Sequence, residues 1–265
     1  MRTIFFAASL CALTAAARAE SIPQPTLNPH ESWSYHVTAQ NRGTVRDAHI
    51  TVSVTRVGPD GVLVSESSTA APGRVASALY GLDWSKRRSV NGQETTVNRP
   101  FAFPLEVGKS WQVEYTEKNP NPRKLRETDV LPYKVVGWED VTVPAGKFHA
   151  LKIESFGRWT AEVSPRVVNN STTARSGGVA TQGAESRIVK GGRVSGRYYK
   201  CFWYVPQVKR WVKSIEENYS ANDTLSQSVA NELESYDLGG GGKPQNAPRP
   251  SVPVTPPPAP DKSSI

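Results

Sequence analysis

The chain has 265 residues, of which 32 are lysine or arginine and 24 are aspartate or glutamate, for a formal net charge of +8. The basic residues form no long block, so the charge by itself indicates solubility rather than a nucleic-acid-binding segment. After residue 19 no apolar run approaches the roughly 20 residues that a membrane helix needs, so no transmembrane segment is expected in the mature chain.

Residues 1–19 have the pattern of a secretion signal. Arg2 supplies a positive charge, an apolar run follows, and Ala17-Arg18-Ala19 is a small-x-small cleavage site. The apolar run is too short to span a bilayer, and a leucine precedes Cys11 where lipoprotein processing needs a small residue. The sequence therefore predicts cleavage near Ala19 and a location in the periplasm or outside the cell.

Alternating apolar and polar residues predict β-strands through most of residues 27–238. The first strands are expected at residues 33–37 and 50–55. A Gly-Pro-Asp-Gly turn at residues 58–61 leads to a returning strand at 62–64.

A second group of strands is expected at residues 110–116 and 133–143. The sequence Pro144-Ala145-Gly146-Lys147 predicts a turn, because proline presets φ early in a turn and glycine suits its exit. A strand over residues 148–159 would complete this hairpin, which is the best-defined element that the sequence predicts.

The rest of the chain is more varied. Residues 164–196 are rich in asparagine, serine, threonine and glycine, and predict a long mobile loop with a strand at its end. Strand patterning returns over 197–216 with a break at Pro206. Residues 225–236 have apolar side chains four, four and three positions apart, which fits either an amphipathic helix or a closing strand.

Domain boundaries follow from these patterns. We expect a signal peptide at residues 1–19, a β-rich domain at 20–238 and a disordered tail at 239–265, where four glycines are followed by eight prolines in the last 22 residues. A leucine before a strand-opening tryptophan occurs near both residue 33 and residue 111, so two similar halves, 27–118 and 125–238, are an alternative to a single unit.

Cys201 is the one cysteine that remains after removal of the leader, so no intramolecular disulfide is expected. It lies within the aromatic run at residues 198–204. A strand with this composition predicts a buried, unreactive thiol rather than a redox-active one.

The residues of a catalytic, metal or cofactor site are not apparent. The chain has no Gly-x-Ser-x-Gly element, and its histidines, His30, His36, His49 and His149, have no recognisable catalytic context. On a strand His30 and His36 would lie roughly 20 Å apart, too far for one metal ion. The glycine-rich segments lack the spacing of phosphate-binding loops. We therefore predict no catalytic residue, no metal ligand and no cofactor.

Basic and aromatic residues are interleaved between residues 187 and 211. This pattern gives a candidate ligand or partner surface, although strands also commonly pack such aromatic side chains in a core. Because an exported protein is not expected to meet nucleic acid, the expected partner is an anionic envelope component or another envelope protein. The candidate residues are Arg193, Arg197, Tyr199, Trp203 and Trp211.

Four stretches together resemble a group of exported, β-rich proteobacterial proteins of unknown function, in which a Val-Pro-Ala-Gly-x-Phe hairpin precedes a Trp-Tyr-x-Pro hairpin. The stretches are residues 33–35, 105–111, 141–153 and 203–213, and the resemblance spans about residues 27–236. It implies a twisted antiparallel sheet or partly closed barrel that ends in a strand near residues 232–237. It brings no catalytic residue with it.

The sequence thus predicts an all-β fold, a twisted antiparallel sheet or partly open β-barrel, with a disordered Gly/Pro-rich C-terminal tail. The expected function is that of a non-enzymatic exported protein of the bacterial envelope that binds or scaffolds. One alternative is a periplasmic carrier that holds a lipid or acylated partner on the concave face of an open barrel. The other is a secreted hydrolase, which would require serine, imidazole and carboxylate in one cleft.

Overall fold

The computed structural model describes residues 21–176 and 179–239, and between residues 169 and 185 it describes the backbone alone. The predicted signal peptide and nearly all of the predicted tail lie outside the described residues. The described part contains fourteen strands and one helical turn. They are β1 Ser32–Asn41, β2 Thr44–Gly58, β3 Gly61–Ser68, β4 Val75–Tyr80, β5 Lys86–Val90, β6 Gln93–Asn98, β7 Ser110–Asn121, β8 Lys124–Val143, β9 Gly146–Val163, β10 Arg166–Ser176, β11 Val179–Val189, β12 Gly192–Val205, a 3-10 turn at Pro206–Val208, β13 Arg210–Tyr219 and β14 Leu225–Asp237.

Twelve of the strands form one antiparallel sheet in the order β6-β5-β4-β3-β2-β1-β14-β13-β12-β9-β8-β7. The sheet therefore begins and ends with strands that are consecutive in the chain. Strands β10 and β11 form a separate two-stranded sheet. This arrangement confirms the all-β, antiparallel prediction, and no helix in the described part of the chain has the length and apolarity needed to cross a membrane.

The two ends of the sheet approach each other, which makes it a nearly closed barrel. Arg88 on β5 donates two hydrogen bonds to Glu117 on β7, at 2.5 and 2.9 Å. Asn91, in the turn after β5, donates to the carbonyl oxygen of Thr116 and accepts from the backbone N–H of Lys118. Side chains rather than a backbone ladder thus join the two edges.

The core lies inside this curved sheet and is rich in aromatic side chains. Along β1, Trp33, Tyr35 and Val37 are buried and alternate with partly exposed residues, as the period-2 pattern predicts. The largest fully buried side chains also include Trp84 and Phe101, which lie outside the strands. The interior is therefore filled largely by aromatic rings.

The predicted hairpins are confirmed. Val143 pairs with Gly146, so β8 and β9 are joined by a tight turn at Pro144 and Ala145. Gly58 pairs with Gly61 in the same way between β2 and β3. Both turns follow directly from local sequence chemistry.

The prediction of a long loop at residues 164–196 was wrong, because β10 and β11 pair without a break in register from Arg166 and Val189 to Ser176 and Val179. Backbone pairing in a hairpin does not require a buried face, and the side chains of Val167 and Ile188 are 61% and 70% exposed. A search for apolar alternation therefore misses such a hairpin.

Residues 225–236 are the closing strand rather than a helix. Strand β14 lies between β1 and β13, and Leu233 is fully buried. A spacing of four places Leu225, Val229 and Leu233 on one face of a helix and, because four is even, also on one face of a strand. The apolar pattern could not separate the two structures.

The similarity of the two predicted halves, residues 27–118 and 125–238, stays a prediction. Residues 27–118 contain β1 to β6 and most of β7, and residues 125–238 contain β9 to β14 and most of β8. Strands from both ranges pair within one sheet, since β1 pairs with β14 and β7 pairs with β8.

Candidate functional site

The five residues predicted as a partner surface do not come together in one site. Arg193 and Arg197 are exposed on β12, and Arg197 donates to Asp223 while its guanidinium lies 3.3 Å from the centre of the Tyr219 ring. The charge of Arg197 is thus already matched.

Tyr199 and Trp203 occupy the same face of β12 as Arg197, because alternate strand residues share a face. The Tyr199 hydroxyl donates to Glu154 at 3.1 Å. Trp203 is 7% exposed, and the Nζ atoms of Lys152 and Lys213 lie 5.7 and 5.8 Å from its ring centre. Lys152 is paired with Glu154 and Lys213 with Glu232, so Arg193 is the one cation among these residues without a carboxylate partner in the described part of the chain.

Trp211 lies on the other side of the sheet. Its ring contacts Phe202 and Phe101 with centroids 5.7 and 6.0 Å apart, and Phe202 is the neighbour of Trp203 in β12 and therefore faces the opposite way. Trp211 belongs to the interior, where it lines a cavity.

The cavity has a volume of about 360 Å³ and lies between the β4–β6 region and strands β12 and β13. Its size falls within the range of natural small-molecule sites. Its walls are aromatic, from Tyr80, Trp84, Tyr115, Phe202 and Trp211, and Lys86, Arg88, Lys200 and Arg210 bring positive charge to it.

Arg210 is the central charged group of this cavity. It is only 3% exposed, and four aromatic rings surround its guanidinium. The guanidinium carbon lies 4.2 Å from the ring centre of Trp211, 4.3 Å from that of Trp84, and 5.6 Å from those of Trp33 and Tyr35. These distances place the cation in an aromatic box, where cation–π attraction offsets part of the cost of removing it from water.

Hydrogen bonds to the backbone around Arg210 hold the box together. The indole N–H of Trp33 donates to the Val208 carbonyl oxygen at 2.8 Å, and that of Trp84 donates to the Lys209 carbonyl oxygen at 2.9 Å. The Tyr35 hydroxyl donates to the Trp211 carbonyl oxygen at 2.9 Å. Three rings from distant parts of the chain are therefore fixed on the segment that carries the arginine.

Trp84 adopts a backbone conformation that is uncommon for an aromatic residue. Its φ is 61°, in the left-handed region. A tight turn enforces this conformation, because the backbone N–H of Trp84 donates to the Gly81 carbonyl oxygen and that of Ser85 donates to the Asp83 carboxylate. Strained residues of this kind are concentrated at binding sites.

The buried donors that line the cavity lack acceptors. Among the described residues, Nε and Nη1 of Arg210 and Nε1 of Trp211 are fully buried and have no hydrogen-bond partner. No carboxylate of the described residues lies within 4.0 Å of the guanidinium. Since most buried polar groups in proteins are bonded, three unpartnered donor atoms on adjacent residues call for an acceptor from outside the chain.

The other charged groups of the cavity are matched or exposed. Arg88 is paired with Glu117, and Lys200 is paired with Glu216 at 2.7 Å. Lys86 is exposed at the rim. Burial raises the pKa of both Tyr80 and Tyr115 to about 12, so both phenols are neutral at physiological pH. Arg210 is thus the buried charge that remains unmatched.

Sequence reasoning named one residue of this site, Trp211, and missed the others. Arg210 follows Lys209 and precedes a lysine at position 213, which is typical of a solvent-facing strand end. Trp84 lies in a turn outside every predicted strand. The one available signal was the Trp203 to Lys213 hairpin as a unit, which the sequence marked as distinctive without indicating which side chains turn inward.

The histidines lie apart from the cavity in exposed pairs. His36 and His49 have ring centres 5.5 Å apart and contact Asp47 and Glu234, respectively. His149 contacts Asp140 at 2.6 Å. Within the described ranges no three histidine, cysteine or acidic side chains are grouped as metal ligands would be.

Comparisons with known proteins give two structural similarities. No protein-family model and no curated protein matches this chain. A candidate lipoprotein from Parabacteroides distasonis has a TM-score of 0.38 and 16% identity, over 82% of this chain and 97% of that one. A candidate exported protein from Bacteroides fragilis, with a YmcC-like fold, has a TM-score of 0.36 and 14% identity, over 82% and 99%. Because both scores are below 0.5, the functional proposal rests on this chain's own sequence and structure.

Proposed function

We propose that this protein is exported to the bacterial envelope and acts there by binding a ligand in its internal cavity, without catalysing a reaction. The pattern of residues 1–19 supports export. The cavity supports binding, because it has the size of a small-molecule site and combines aromatic walls with convergent polar and charged groups.

One observation carries the proposal: Arg210 is nearly completely buried, yet two of its nitrogen atoms have no partner. A buried charge without hydrogen bonds opposes folding. An arginine kept only for stability would be expected to meet a carboxylate, as Arg88 meets Glu117. An arginine reserved for a ligand would have the geometry found here.

A carrier of an apolar or acylated molecule is a second candidate. It is favoured by a cleft of about 560 Å³ over β7 to β9, whose lining includes Pro132, Val136 and Phe156. Phe156 is 70% exposed, which is unusual for so large an apolar side chain. The one cation in its lining, Lys134, is exposed to solvent, so the cleft would suit a neutral chain better than an acidic group.

Native mass spectrometry of the full chain, exported and purified from the periplasm, tests both candidates. We expect the mature protein to begin at Glu20 and to carry an additional small mass. Arg210→Met should remove that mass, whereas Arg193→Met, which removes an exposed arginine of β12, should retain it.

The carrier candidate predicts a different result. A lipid-sized mass that persists in Arg210→Met and is lost in Phe156→Ser would favour the cleft over the cavity. A protein that retains Met1, or that carries no ligand when held in concentrated periplasmic extract, would contradict the main proposal.

A further inference from the structure

We propose that the ligand of the internal cavity is a small carboxylic acid, bound with its carboxylate on Arg210 and Trp211 and its flat or apolar body against the aromatic walls. This inference rests on the proposed function. It is drawn from the kind of hydrogen-bonding group that the cavity lacks, from its charge and from the chemistry of its walls.

The unpartnered groups at the deep end are all donors. Nε and Nη1 of Arg210 and Nε1 of Trp211 carry N–H groups and accept nothing. A ligand that forms hydrogen bonds with these groups must present acceptor atoms. The guanidinium carbon of Arg210 lies 4.2 Å from the centre of the Trp211 ring, so one compact acceptor group can meet both residues.

The charge of the cavity favours an acceptor with a single negative charge. Arg88 and Lys200 already face Glu117 and Glu216, which leaves Arg210 as the unmatched buried cation. A carboxylate supplies one charge. A phosphate monoester supplies about 1.5 to 2 charges at neutral pH, more than the one buried arginine offsets. Lys86, the other lining cation without a carboxylate partner among the described residues, is exposed at the rim, and Glu216 also lines the cavity and would oppose the excess.

The walls favour an apolar body on this acid. Trp84 and Trp211 approach each other edge to face, with centroids 6.5 Å apart, and Phe202 lies 5.7 Å from Trp211. These rings offer apolar surface and stacking for the body of the acid. An inorganic anion would leave the same rings without a contact.

Calorimetric titration with four probes tests the ligand class. We expect 3-phenylpropanoate to bind at least about tenfold more tightly than 3-phenylpropanamide, which has the same shape without the charge. Acetate, which has the carboxylate but no aromatic group, should bind more weakly than 3-phenylpropanoate. Phenyl phosphate should also bind more weakly, and tighter binding of this probe would overturn the assignment to a carboxylate.

Variants of the two donor residues test the assigned contacts. Arg210→Met should weaken 3-phenylpropanoate binding by about tenfold or more, since charge-assisted hydrogen bonds are lost. Trp211→Phe keeps an aromatic ring but removes the N–H, and should cause a smaller loss. Arg193→Met is the matched control and should leave the affinity unchanged.

Thermal unfolding without ligand separates a binding role from a structural one. If Arg210 is reserved for a ligand, Arg210→Met removes an uncompensated buried charge and should raise the unfolding midpoint while it abolishes binding. A lowered midpoint together with unchanged binding of 3-phenylpropanoate would assign Arg210 a structural role and overturn the inference. If Arg210→Met does not fold, Trp211→Phe and the acid–amide pair still decide it.

The failure of this inference can be distinguished from the failure of the proposed function. If none of the probes binds, but a periplasmic ligand disappears in Arg210→Met, the cavity is a binding site and the carboxylic acid class is wrong. If neither probes nor a periplasmic ligand depend on Arg210, both proposals are wrong.

Discussion

At the scale of single residues, the structure uses burial in two different ways. Arg210 keeps its charge inside the protein because aromatic faces at 4.2 and 4.3 Å replace part of its hydration. Cys201 is fully buried and has no disulfide partner. Arg210 therefore has buried N–H donors without partners among the described residues, whereas burial of Cys201 keeps its thiol protonated.

Cys201 should be unreactive in the folded protein. Burial raises the pKa of its thiol to about 12, so at pH 8 roughly one thiol in ten thousand is ionised. We expect negligible reaction with Ellman's reagent in buffer and complete reaction in guanidinium chloride. A native rate similar to that of free cysteine would contradict the burial of this side chain.

At the scale of elements, β12 organises the barrel wall, because it pairs with β9 on one side and β13 on the other. Its outer face carries four of the five predicted partner residues, and Lys200 and Phe202 on its inner face line the cavity. Close packing near its start depends on Gly196, over which the Trp159 ring passes while its indole N–H donates to the Tyr219 carbonyl oxygen at 2.9 Å.

Gly196→Ala should destabilise the fold. A Cβ atom at this position would collide with the backbone carbonyl oxygen of Tyr219 and would lie 2.6 Å from the Trp159 ring, closer than real contacts permit. We expect the free energy of unfolding to fall by about 1–3 kcal/mol in urea denaturation, as is typical of an overpacked site.

Gly58→Ala is the matched control for this substitution. Gly58 is also a strand residue, but an added Cβ would meet no atom within 4 Å. Its stability should change by no more than about 0.5 kcal/mol. Equal effects of the two substitutions would mean that backbone entropy, and not the Trp159 contact, determines the result.

At the scale of the whole molecule, the barrel is closed by side chains where the backbone ladder ends. Arg88 and Glu117 form the strongest link, since two parallel hydrogen bonds join a guanidinium to a carboxylate. The same arginine lines the cavity. Closure of the barrel and formation of the cavity are therefore coupled through β5 and β7.

This link should depend on pH. Hydrogen bonding to Arg88 lowers the pKa of the Glu117 carboxyl below its ordinary 4.5. A carboxyl with a lowered folded-state pKa stabilises the fold above its unfolded pKa, and the contribution is lost as the pH falls through the folded value. The pair is partly exposed, so a double-mutant cycle with Arg88→Met and Glu117→Gln should give a coupling of only about 1 kcal/mol or less at pH 7.

The same variants should loosen the edge of the sheet locally. We expect faster amide hydrogen exchange in β7, with β9 and β12 unchanged, because those strands are paired on both sides. Uniform acceleration across all three strands would show that the pair supports the whole barrel. A coupling that does not weaken as the pH is lowered through the acid range would contradict the assigned role of Glu117.

The sequence by itself determined the strand content and the tight hairpins, because alternation and turn chemistry are local properties. Residues 33–37 and the turn at Pro144 are correctly predicted for this reason. The same local signals could not determine whether residues 225–236 form a helix or a strand, because apolar residues four positions apart fit both periodicities. They also missed the hairpin at 166–189, whose exposed apolar residues leave no buried face to detect.

The position and lining of the cavity could be identified only from the tertiary structure. Its aromatic box draws on Trp33, Tyr35, Trp84 and Trp211, which are brought together when β1, the β4–β5 turn and β13 meet inside the curved sheet. Whether Arg210 faces solvent or core depends on this closure, because its side-chain type and its flanking lysines indicate an exposed position. Long-range packing, which no local pattern records, is the physical reason that the site was found only in the folded protein.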